Sequence, residues 1–235
     1  MKQLLIALCI VCFSAQVFAQ DKTAKESYKD YSYITLKPAD SEYFQNMKQA
    51  IDIMDRAMEK GQMEQAINFF TEISEEEPKE WLPSYYAAYC YATLCFMERD
   101  RLLRDRYLNE AQAHLDRIMK IQPNNAEILV LQAYVYQQRV EVDPTSRVQD
   151  YGTMVQINLD DAAKLEPDNP RLHFLLAQTT FFAPESAGGG MINACPMVHT
   201  AAKKYEENPP LNDIAPKWGG AIVSYMQTIC ESLNR

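Results

Sequence analysis

Three prolines, Pro78, Pro123 and Pro167, recur at intervals of 45 and 44 residues, and each closes a stretch patterned as an amphipathic helix. Twelve residues before each proline stands a small or modest apolar residue: Ala66, Ala111 and Val155. Eight before stands a large one, Phe70, Leu115 and Leu159, and five before stand Ile73, Ile118 and Ala162. This spacing puts all three on one side of an α-helix. Proline then stops the helix, because it lacks a backbone donor and its ring clashes with the preceding turn. A hairpin of two such helices cannot bury its own apolar face, so the chain must stack one hairpin on the next.

A second apolar helix follows each proline within a few residues, with Asn124, Asn125, Asp168 and Asn169 available as turn or capping groups. The pattern predicts helices near 43–59, 63–76, 80–98, 104–121, 125–141, 150–165, 170–182, 193–207 and 215–232. Gly61 separates the first pair, and Trp218 and Tyr225 fall in the last helix. Strand signals are nearly absent.

The N-terminus has the layout of a secretory signal: Lys2, the apolar run Leu4–Phe13, then Val17-Phe18-Ala19 before Gln20. The run is half the ~20 residues that a membrane-spanning helix needs. Neither Cys9 nor Cys12 follows the small residue of a lipoprotein cut, so cleavage is expected after Ala19, with export as a soluble periplasmic or secreted protein. Residues 20–42 read as an extended or disordered lead-in, whose Tyr28, Tyr31 and Tyr33 are expected against the first hairpin. Residues 43–235 form the helical domain. The net charge of −9 speaks against nucleic acid, which calls for a basic face.

These marks resemble the tetratricopeptide repeat (TPR), a helix–turn–helix unit of about 34 residues. The matching residues are Gln65-Ala66…Phe70…Pro78, Glu110-Ala111…Leu115…Gln122-Pro123-Asn124-Asn125 and Leu159…Ala162…Glu166-Pro167-Asp168-Asn169-Pro170, and the resemblance spans residues 43–233. The intervals exceed the family's unit, and the surplus is assigned to Glu98–Arg106 and Val140–Tyr151. Asn169-Pro170-Arg171, Pro184-Glu185, Gly188-Gly189-Gly190 and Pro216-Lys217-Trp218-Gly219 are similar to segments of exported bacterial TPR-like proteins. The resemblance implies an all-α, right-handed superhelix of about four hairpins plus a C-terminal capping helix, with the first helix of each hairpin lining the inner face.

In the family's register the inward positions are Leu82, Tyr85 and Tyr89, then Glu127, Val130 and Tyr134, then Arg171, Phe174 and Gln178, with Thr93, Gln138 and Phe182 one turn further on. Tyr85, Tyr89, Tyr134, Gln138, Arg171, Phe174, Gln178 and Phe182 are the candidate partner-binding groove. A clamp for an acidic tail needs several cationic donors, and Arg171 stands almost alone. Two readings stay open: an open aromatic groove, or rings packed into a tight core. An open groove suits a non-enzymatic scaffold holding a protein or peptide partner in the cell envelope. The alternative is a binder of a small apolar ligand, resembling TPR subunits that accompany periplasmic transport systems.

Chemistry-bearing residues are sparse. His114, His173 and His199 are scattered, and no nucleophile elbow, zinc-protease motif or dinucleotide fingerprint is present. Cys195, His199 and Cys230 lack a fourth metal ligand. Neither catalysis, cofactor nor metal is expected. Cys195 opens one predicted helix and Cys230 nearly closes the next, so in an antiparallel hairpin they are placed to bridge, whereas Cys90 and Cys95 read as core residues. The Gly188–Gly190 cluster reads as a long connection before a helix capped by Asn193, held by an ion pair from Arg171 or Arg147 to Glu185.

Overall fold

The computed structural model describes residues 34, 35 and 37–233. The chain divides into two compact units between residues 36 and 37, and the second holds all the described helices. The signal reading for residues 1–19, most of the 20–42 lead-in and the placement of Tyr28, Tyr31 and Tyr33 lie outside the described residues.

The second unit is all-α, with nine α-helices and no strand among the described residues. They are α1 Glu42–Arg56, α2 Lys60–Glu76, α3 Leu82–Met97, α4 Arg101–Ile121, α5 Ala126–Val142, α6 Pro144–Leu165, α7 Pro170–Phe182, α8 Met191–Glu207 and α9 Gly220–Leu233. A single 3-10 turn, Glu185–Ala187, lies between α7 and α8.

The proline marks coincide with helix ends. α2, α4 and α6 stop at Glu76, Ile121 and Leu165, each two residues before its proline. The next backbone N–H closes each end in the same way: Glu77 to Ile73 O, Gln122 to Ile118 O and Glu166 to Ala162 O, at 2.8–2.9 Å. All nine residues read back from the prolines are buried. Asn125 and Asn169 cap α5 and α7 through Oδ1, which accepts from Glu127 N and Ile128 N, and from Arg171 N and Leu172 N, respectively.

Consecutive helices pair as α1–α2, α3–α4, α5–α6 and α7–α8, and α9 packs on α8. The first members α3, α5 and α7 also touch one another in series. This explains why α3 and α5 are apolar nearly all round: each is covered on several sides, whereas α4 and α6 bury single stripes.

Three details differ from the sequence expectation, and the surplus residues lie where it put them. Gly61 sits inside the first turn of α2, and residues 57–59 make the break. The surplus in Glu98–Arg106 and Val140–Tyr151 is absorbed by longer helices, because Asp100 caps α4 and Pro144 opens α6, where a missing N–H costs nothing. α8 begins at Met191 with Gly190 as its cap residue, so Asn193 lies inside it and donates to Gly189 O at 2.8 Å. Trp218 precedes α9 rather than belonging to it.

Candidate functional site

The inward register converges on one buried cluster. Tyr85 on α3, Glu127 on α5 and Arg171 on α7 meet where the three first helices touch. Arg171 Nε donates to Glu127 Oε2 at 2.7 Å, and a second guanidinium N–H donates to Oε1. Tyr85 Oη donates to Glu127 Oε2 at 3.1 Å, and Asn169 Nδ2 donates to Oε1 at 2.5 Å. The carboxylate of Glu127, 1% exposed, thus has four donors, which is what a buried charge requires. Burial opposes the charge of Arg171, but Glu127 beside it more than offsets this and holds its pKa above the ordinary value.

The space in front of this cluster is filled by the chain itself. Ile214, Ala215, Pro216 and Trp218, in the connection between α8 and α9, are all buried. Side chains of the helices grip the carbonyls of this segment. Tyr86 Oη donates to Ile214 O at 2.9 Å, Arg171 Nη1 to Pro216 O at 2.8 Å and Tyr205 Oη to Trp218 O at 2.7 Å. Trp218 Nε1 donates to Tyr85 Oη at 2.8 Å. Its indole lies against Tyr89 (5.0 Å between centroids, 22° between planes), Tyr134 (5.5 Å) and the edge of Phe174 (6.1 Å). The ion pairs Lys217–Asp55 and Lys48–Asp213 tie the segment to α1. Gly219, at φ +94°, makes the turn into α9; a Cβ there would collide with Tyr205 Oη and stand 2.9 Å from Phe174 Cδ1.

As an open groove, the candidate set is therefore corrected. Tyr85, Phe174, Arg171 and Gln138 are buried, Tyr89, Tyr134 and Gln178 are only partly exposed, and Phe182 alone is open at 69%. The physical reason is that aromatic rings at inward positions attract the nearest apolar segment, and residues 214–218 supply it from within the chain. What the segment leaves is the C-terminal end of the shared face. There Tyr89 and Tyr134 lie on the indole, and Thr93, Gln138 and Phe182 follow one turn on. Gln138 Oε1 is buried with no hydrogen-bond partner. Burial pushes the phenols of Tyr89 and Tyr134 above their ordinary value, so both stay neutral donors at physiological pH.

Cys195 and Cys230 are joined by a disulfide linking α8 to α9, and Cys90 and Cys95 are buried free thiols. Arg171 and Arg147 pair with Glu127 and Asp105, not with Glu185, because each lies in contact with a neighbouring hairpin and away from the glycine loop. Periodicity puts Trp218 seven residues before Tyr225 in the last helix, but it stands ahead of α9; its neighbours Pro216 and Gly219 were the signal for that. Among the described residues no group of three or more His, Cys, Asp or Glu could hold a metal, and no helix is long and apolar enough to cross a membrane.

No protein-family model matches the chain, and no curated protein matches it. Among solved structures it is similar to the HusA haemophore from Porphyromonas gingivalis, with 25% sequence identity, a TM-score of 0.73, and coverage of 85% of this chain and 98% of that one.

Proposed function

We propose that this chain is an exported, non-enzymatic binder of a small flat apolar ligand, with haem as the ligand to test first. The likeness to a haemophore across 98% of that protein's length carries the reading. The chemistry of the shared face supports it. Trp218, Tyr89 and Tyr134 form a ring cluster at the end of this face, Phe182 offers open apolar surface beside it, and Gln138 Oε1 is a buried acceptor without a partner. The recurring hairpins and the shared contacts of α3, α5 and α7 support reading the fold as TPR-like.

A scaffold for a protein or peptide partner would use the same face. That face already holds a peptide of this chain, residues 214–218, and an external one would have to displace it. The small-ligand reading puts its ligand beside this segment, at the exposed Phe182 end of the face. Titrating the protein cut after Ala19 with haemin, while following the Soret band and tryptophan fluorescence, tests it. A shifted band with quenching is expected. Phe182→Ser should weaken binding about fivefold or more without changing stability, since the ring is exposed. An unchanged Soret band would end the haem assignment.

A further inference from the structure

Tyr89 and Tyr91 leave α3 on opposite sides, two residues apart at about 100° per residue. Tyr91 faces a separate cleft of about 380 Å³ between α2, α3 and α4. Ile67 and Leu94 lie at its base, Tyr91 and Tyr107 line it with centroids 6.5 Å apart, and Glu64 and Glu110 stand at its edge. His114 stacks on Tyr91 at 5.8 Å between centroids. Thirteen ion pairs are present among the described residues, yet neither Glu64 nor Glu110 belongs to one. Arg106 also lines the cleft, forms no ion pair there and caps neither ring.

We propose that this cleft is a binding site for an organic cation, an ammonium group carried on an apolar body, distinct from the shared face of α3, α5 and α7. Two phenol rings line the cleft with their negative quadrupoles, two unpaired carboxylates add full charges, and the apolar base accepts the ligand's body. The carboxylates raise the Tyr91 phenol pKa after burial has done so, so both act on the same spot. An anionic ligand finds the opposite: two repelling carboxylates against one arginine. Arg106 is then a competitor for the rings rather than a ligand-holding group.

The test uses choline and neohexyl alcohol, its uncharged carbon isostere, titrated into the protein and followed by NMR shifts of the Tyr91 and Tyr107 ring protons. Choline should shift both rings and the alcohol should not. Glu64→Gln and Glu110→Gln should each weaken choline about threefold, and Tyr107→Leu about fivefold. Arg106→Ala should tighten choline binding, the outcome that separates a cation site from an anion site. Glu64, Arg106 and Glu110 are exposed and Tyr107 half-exposed, so the variants keep the fold, and haemin titration should be unaffected by them. Equal shifts with the alcohol, or weaker choline binding in Arg106→Ala, would overturn the proposal whatever the haemin result.

Discussion

Glu127 and Arg171 stand 44 residues apart in equivalent places of successive hairpins, and they meet as a buried, doubly hydrogen-bonded ion pair. One partner without the other would leave a charge in a site only 1% or 8% exposed. Arg171→Met should therefore destabilise the protein by about 3–5 kcal/mol, measured by urea unfolding. Replacing Glu127 and Arg171 together by methionine should cost less than Arg171→Met alone, because no orphaned charge remains. A double variant weaker than the single one would show that the pair is held for its attraction rather than for mutual neutralisation.

Trp218 is the wedge between α3, α5 and α7. Trp218→Ala removes the ring from Tyr89, Tyr134 and Phe174 and the donor from Tyr85. A loss of about 3–5 kcal/mol is expected. Near-UV circular dichroism should lose the part of its tryptophan signal that comes from Trp218, leaving that of the buried Trp81. Trp218→Phe should recover part of the stability but not the hydrogen bond to Tyr85.

The Cys195–Cys230 bridge closes a span of 35 residues that includes the segment seated on the shared face. Reduction, or Cys195→Ala with Cys230→Ala, should cost about 2–4 kcal/mol by releasing that span in the unfolded chain. Thermal melts with and without reductant measure this, and intact mass under denaturing alkylation should count two reactive thiols in the oxidised mature protein and four after reduction.

Stability should fall in acid through Glu98. Its carboxylate accepts from Lys60 Nζ at 2.5 Å, Arg99 N at 2.6 Å and Asp100 N at 3.0 Å. The bond from Lys60, then those from the backbone N–H groups of Asp100 and Arg99, hold its pKa down to about 2 against an ordinary 4.5. A folded pKa below the unfolded one means that the unfolded chain takes up the proton first. The contribution is complete above about pH 4.5 and is lost as the pH falls towards 2. Glu98→Gln should lower the urea midpoint at neutral pH and flatten its decline over that window.

Periodicity was enough to locate the helices, their proline-terminated ends and the Asn125 and Asn169 caps, because these depend on neighbours three or four residues away. The register implied by the TPR resemblance put Tyr85, Glu127 and Arg171 on one face, where the structure brings them together. Periodicity could not reveal that this face is already occupied. Residues 215–218 read as the start of the last helix, whereas they form an irregular segment that reaches Tyr89, Tyr134 and Arg171 where the chain returns from α8 across α3, α5 and α7. The cleft of Tyr91 and Tyr107 is likewise a product of tertiary packing, assembled from three helices whose separate sequences carry no common mark. Contacts across long sequence distances depend on how whole hairpins dock, and no local pattern encodes that docking.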